Sequence, residues 1–203
     1  MDIEYTVDGS NWLPIAMGYT NRNSGAGQVI TNVSPRWIIT GPPSASAQVR
    51  VRSVSIPTLS MTTLPFSISG VQLVSPNGGE MWEFVQQNVV NWLFEEAGGT
   101  VALDISFNGG LNYESLVDLV GIYGGSVTLP AGSLRRPANS ARIRIRATAA
   151  PSPLPMFDGS DTNFTIRGIA MIAPTNGSVY TMGTVVTDGL RWYSAATEDT
   201  TAE

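Results

Sequence analysis

Apolar and polar residues alternate in short stretches along the chain, and a helical period of about 3.6 residues is nowhere sustained. In Asn88-Val89-Val90-Asn91-Trp92-Leu93 the alternation points Val90 and Trp92 to one face, the expected core. Val101 to Phe107 alternates again, and Asn108-Gly109 is a strong hairpin signal, with Tyr113 to Val120 as the expected return strand. Ser126-Val127-Thr128-Leu129 follows a Gly-Gly pair, and Ala141 to Ala147 sets Ile143 and Ile145 inward and Arg142, Arg144 and Arg146 outward. Asn163-Phe164-Thr165-Ile166 closes the series. About seven short strands in roughly 100 residues predict an all-β sandwich.

The same order of patterns recurs. Ile3 to Gly9 matches Leu103 to Gly109, Ala47 to Arg52 parallels Ala141 to Arg146, and Phe66-Ser67-Ile68 parallels Phe164-Thr165-Ile166. Toward the other end, Ile169 to Trp192 matches Val71 to Trp92, with Tyr180 in place of Trp82. The expected organisation is therefore a partial copy over 1–70 holding the later strands, a complete copy over 71–168, and a partial copy over 169–203 holding the opening strands. Trp82, Trp92 and Trp192 occupy recurring strand positions and are expected in or near a core.

Ser75-Pro76-Asn77-Gly78-Gly79-Glu80 with Trp82 and Asn91-Trp92, then Ser106-Phe107-Asn108-Gly109-Gly110 and a terminal Phe164-Thr165-Ile166, resembles the tandem immunoglobulin-like or fibronectin-III-like repeats of bacterial secreted and cell-surface proteins. The resemblance implies immunoglobulin-like β-sandwich repeats acting as stalks, spacers, adhesins or sheath components, at an extracellular or cell-surface location. It departs at Thr175-Asn176-Gly177-Ser178, where Gly-Gly-Glu is lost, so a role for Glu80 does not carry to that copy.

Composition removes several classes. The net charge is −5 and all 11 basic residues are Arg, an acidic balance that argues against phosphate-backbone binding. With no Cys, no His and no Lys there is no disulfide, thiolate, imidazole base or Schiff base, and stability must come from packing and strand pairing. No run of 18 apolar residues spans a bilayer, and Met1-Asp2-Ile3 does not read as the start of a signal peptide.

Catalysis would need paired carboxylates; Asp104, Glu114, Asp118, Glu95 and Glu96 are the candidates, and strand or turn roles account for them better, so no enzyme is expected. Calcium is the alternative cofactor, with Asp158, Asp161 and Asp8 on tight Asp-Gly loops, although Asp-Gly is first a turn-former. Trp12, Tyr19, Trp37, Tyr113 and Tyr123 are the candidates for a sugar-stacking platform, with burial against a sheet as the plainer role. Asn163-Phe164-Thr165 and Asn176-Gly177-Ser178 satisfy the glycosylation pattern, at a frequency chance explains. The Arg rows, Arg50 with Arg52 and Arg142 with Arg144 and Arg146, read most simply as edge-strand protection, with pairing to carboxylates of an adjoining subunit as the alternative.

Two complementary partial copies imply open, half-apolar sheets that something must cover. The expected function is a structural subunit of an extracellular filament, sheath or surface fibre, a head-to-tail homopolymer joined by β-strand complementation. Expected joint residues are Ile3, Tyr5 and Val7 on one side, with Ile169, Met171, Ile172 and Tyr180, and then Val186, Leu190 and Trp192, on the other. The alternatives are an excerpt of a long tandem-repeat adhesin or stalk, and a carbohydrate-binding module with polysaccharide contact.

Overall fold

A computed structural model describes residues 1–20, 36–39, 41–95, 99–118, 125–147, 156–187 and 189–196. The chain is all-β: among the described residues there are fifteen strands and no helix. It divides into two compact units, Met1–Gly70 with Phe94–Glu96, and Val71–Leu93 with Ala97–Glu203.

The first unit is one antiparallel sheet. β1 (Asp2–Thr6) lies between β2 (Leu13–Ala16) and β3 (Ser44–Arg52), and β3 pairs in turn with β4 (Ser60–Thr62) and β5 (Phe66–Ile68). Asp8 builds the β1–β2 turn: its Oδ1 accepts N–H bonds from Ser10 (2.8 Å) and Asn11 (2.7 Å), which lets Gly9 take a φ of 74°.

The second unit is a two-layered sandwich. One layer is β6 (Gly70–Ser75), β8 (Asn88–Glu95) and β11 (Ser126–Leu129), in the order β11-β8-β6. The other runs β10 (Glu114–Asp118), β9 (Val101–Ser106), β12 (Ala138–Ala147), β14 (Phe164–Ala173) and β15 (Arg191–Ala195). β7 (Met81–Glu83) adds to β14 in parallel, and β13 (Phe157–Gly159) adds to β12. The alternation read from the sequence places the core correctly: Val90, Trp92, Leu103, Ile105, Ile143, Ile145, Phe164 and Ile166 are buried, and Trp82 stacks on Phe164 at 4.8 Å.

The two units repeat one another in register. Tyr5 pairs with Val49 and Ile3 with Val51, as Ile105 pairs with Ile143 and Leu103 with Ile145. Ala47 pairs with Phe66 and Ser44 with Ile68 across a register shift, as Ala141 pairs with Phe164 and Ala138 with Ile166. A hydroxyl in the link before β5 and before β14 takes the same amide in both: Thr63 Oγ1 accepts from Val49 N at 3.0 Å, and Ser160 Oγ accepts from Ile143 N at 3.0 Å. The β1–β2 and β9–β10 turns share a device too, since Thr6 Oγ1 donates to Asp8 Oδ1 and Ser106 Oγ donates to Asn108 Oδ1, both at 2.9 Å.

The copy expected to close at Ile166 does not stop there. β14 continues through Gly168 to Ala173, and its second half pairs with β15 as an antiparallel hairpin. Gly168 makes the passage: its φ is 150°, and a Cβ would sit 2.7 Å from the Phe84 side chain.

Candidate interaction site

The β14–β15 hairpin repeats the β6–β8 hairpin of the sandwich. The prolines that end β6 and β14 both follow cis bonds, Ser75–Pro76 and Ala173–Pro174. The two hairpins differ in what covers them. Leu73 is 1% exposed and its counterpart Met171 60%; Trp92 is 2% exposed and Trp192 57%; Val90 is 0% exposed and Leu190 69%. Met171 pairs with Trp192 across the hairpin, and Ile169, also exposed, pairs with Ser194, so one face carries Ile169, Met171 and Trp192 side by side. The β6–β8 face is sealed by the opposing layer. The β14–β15 face meets water, and Trp192, expected in or near a core, is an exposed residue here.

Tyr180 donates through its hydroxyl to Gly189 O at 3.2 Å, and a Cβ at Gly189 would collide with Val186, so Tyr180 and Val186 gather over the Gly189 backbone at the hairpin's far end. Ile172 belongs elsewhere. It corresponds to Val74, which points out of the sandwich, and the period of two sends it to the face opposite Met171.

The other half of the expected joint lies on β1 and the turn after it. Ile3 and Tyr5 are buried, and Val7 is half-buried. Trp37 packs on Tyr5 with ring centroids 5.1 Å apart, and a Cβ at Gly41 would press on the same ring at 3.3 Å. Sequence periodicity places Tyr5 on an apolar face but does not reveal that Trp37, distant along the chain, covers it. What stays open is Val51: it is 40% exposed, whereas its counterpart Ile145 is fully buried. The outer side of β5 also carries no strand among the described residues, whereas the matching part of β14 is flanked by β7.

The carboxylates hold the sheets together. Asp104 is buried and accepts from Arg144 Nη2 at 2.8 Å and Arg146 Nε at 2.6 Å. Burial pushes its carboxyl up, but the hydrogen bonds and charges of Arg146 and Arg144 outweigh this, and it lies below its ordinary value of 3.8. Glu4, at the matching position of the first unit, accepts from Arg50 Nη2 at 2.8 Å, and Asp2 accepts from Arg52 Nη2 at 3.3 Å. The Arg rows are thus not edge protection, because β3 and β12 are interior strands; Arg50, Arg52, Arg144 and Arg146 clamp acids of the neighbouring strand, while Arg142 donates to Asn163. Glu114 pairs with Arg135, and Asp118 accepts from Ser115; Glu96 lies outside the described residues.

The aromatic candidates are similarly engaged. Arg50 sits 4.1 Å over Trp12 and Arg144 4.3 Å over Tyr113, so both rings serve as cation–π partners of the clamps. Tyr19 is half-buried where its carbonyl accepts from the Met1 amine, and Tyr123 lies outside the described residues. Asn163 accepts from Arg142 Nε at 2.7 Å, while the Asn176 turn is exposed.

The oxygens proposed for calcium are committed to loop geometry. Asp8 caps its turn, and the N–H groups of Asn11 and then Ser10 hold its carboxyl well below the usual carboxylate range. Asp158 Oδ2 accepts from Leu73 N at 2.8 Å, and Asp161 Oδ2 accepts from Asn77 Nδ2 at 2.9 Å. Among the described residues no group of three or more acidic side chains converges.

The chain matches no known family model and no curated protein.

Proposed function

We propose that the protein is a structural subunit of an extracellular filament, sheath or surface fibre, in which the β14–β15 hairpin of one copy completes the first unit of the next. The observation that carries this reading is the contrast between two equivalent hairpins: Trp92 and Leu73 are sealed by an opposing layer, whereas Trp192 and Met171 are exposed. The first unit supplies counterparts of the strands that do the sealing. β1, β2, β3, β4 and β5 correspond in order to β9, β10, β12, β13 and the first half of β14, in the same registers.

The strand orders β11-β8-β6 and β10-β9-β12-β14, with β7 crossing to flank β14, suit an immunoglobulin-like repeat, the family that the sequence motifs resemble. A joint between one copy's hairpin and another's first unit uses different surfaces on the two partners. Such a contact propagates into an open fibre unless its rotation closes a ring. Each large apolar side chain withdrawn from water adds about 1.5–3 kcal/mol, so a face with Trp192, Met171, Ile169 and Leu190 supplies a firm joint.

Electron microscopy of the purified 203-residue chain tests the reading. Fibres that lengthen with concentration are expected. Dispersed single particles at all concentrations would overturn it, and coverage of the hairpin by further repeats of one longer chain would then be the better account.

A further inference from the structure

The sandwich carries one more feature of the joint, and its use rests on the head-to-tail reading above. β7 lies along the outer side of β14 as a parallel strand in the register Thr165–Met81, Ile166–Trp82 and Arg167–Glu83, and the last pair is joined by an ion pair between Arg167 and Glu83. β5 is the first unit's version of that part of β14, with Phe66 and Ile68 in the places of Phe164 and Ile166. The hairpin's version of β7 is the segment around Tyr180, which follows Pro174 as Trp82 follows Pro76. Val179 and Met182 there are among the most exposed apolar side chains of the chain.

We infer that residues 179–181 of one copy add to β5 of the next as a parallel strand, with Tyr180 beside Ile68 and Thr181 beside Ser69. Main-chain hydrogen bonds along β5 would give affinity, and the Tyr180 ring would take the place that Trp82 fills beside Phe164, against Phe66 of the partner copy. The hairpin thereby engages the neighbouring copy twice: its Met171–Trp192 face covers the sheet, and its 179–181 segment extends that sheet. The ion pair of the sandwich becomes a pair of hydroxyls, Thr181 and Ser69, which sets the joint between copies apart from the closed sandwich.

The absence of cysteine makes the test clean. Two single-cysteine chains, Thr181→Cys and Ser69→Cys, are mixed and treated with the shortest bismaleimide, with Thr181→Cys and Ser60→Cys as the off-register pair. Sedimentation of each mixture is run in parallel. The expected result is a covalent heterodimer from the 181/69 mixture and little from the 181/60 mixture, although Ser60 on β4, like Ser69, is exposed. Equal yields from both mixtures, or multimers in sedimentation with no 181/69 product, would overturn the register while leaving the head-to-tail joint standing. Chains that sediment as monomers throughout would remove the joint and the register together. A charge swap gives a second readout: Thr181→Arg with Ser69→Arg should weaken assembly at least ten-fold relative to Thr181→Glu with Ser69→Arg, which rebuilds the Glu83–Arg167 pair, and equal assembly of the two would contradict the register.

Discussion

Met171 and Trp192 face each other across the β14–β15 hairpin, and both are more than half exposed, whereas Leu73 and Trp92 at the same places of the β6–β8 hairpin are buried. Identical substitutions at the two tryptophans should therefore behave differently. Trp92→Ala opens a cavity in a closed core and should cost about 3–5 kcal/mol in urea denaturation of the dilute protein. Trp192→Ala removes a ring that packs on little within its own chain, and should shift the same curve by less than about 0.5 kcal/mol.

Asp104 makes the sandwich acid-sensitive. Its folded value is depressed, so its contribution is fully present above the unfolded value of 3.8 and is lost as the pH falls through the lower folded value. Stability should be flat in this respect from neutral pH down to about 5 and decline below about 4. Asp104→Asn should flatten that decline and, at neutral pH, cost about 1–2 kcal/mol, because the side chains of Arg144 and Arg146, 35% and 43% exposed, are screened by water.

The first turn offers a comparison built into the molecule. Asp8 and Asn108 do the same job, one with a carboxylate held below its usual range and one with an amide. Asp8→Asn should retain the fold, as judged by circular dichroism, and should remove the share of acid sensitivity that this one carboxyl contributes, since a depressed carboxyl stabilises only above its unfolded value.

Ser160, in the link between β13 and β14, ties that link to β12 and to Pro76. Its Oγ accepts from Ile143 N and donates to Pro76 O at 2.8 Å, all within the core. Ser160→Ala leaves the Ile143 amide without this partner and should cost about 1–3 kcal/mol, while Ser160→Thr, which copies Thr63 of the first unit, should recover most of the loss in the same thermal melt.

Arg136 ties the hairpin to the sandwich, with its guanidinium carbon 4.9 Å from the Phe107 ring centre and 5.4 Å from that of Tyr193. Arg136→Ala should speed amide exchange across Arg191–Ala195, reflecting a loss of about 1 kcal/mol. Measured in a Trp192→Ala background, the exchange reports the hairpin's own anchoring.

Much of this architecture is legible in the sequence, because inward positions repeat every second residue and the copies repeat every other feature. Ile143 and Ile145, Val90 and Trp92, and the Asn108-Gly109 turn lie where periodicity and turn chemistry put them. What escapes is long-range. Whether β12 is an edge or an interior strand depends on β9 and β13 coming to its two sides, so the Arg rows read as edge protection until Asp104 appears between them. Tyr5 reads as an open position because nothing local shows Trp37 returning over it. Thr63 and Ser160 are lost among the chain's many hydroxyls, because Thr63 precedes Phe66 by three residues and Ser160 precedes Phe164 by four, so a fixed repeat spacing does not align them.

Sedimentation velocity of the full chain beside its Trp192→Ala variant, over a wide range of concentration, tests the shared-sandwich joint most directly. The chain should move from monomer to progressively larger multimers as concentration rises, and the variant should remain monomeric with an unchanged fold. A chain that stays monomeric at the highest concentration, or a variant that assembles as readily as its parent, would contradict the account.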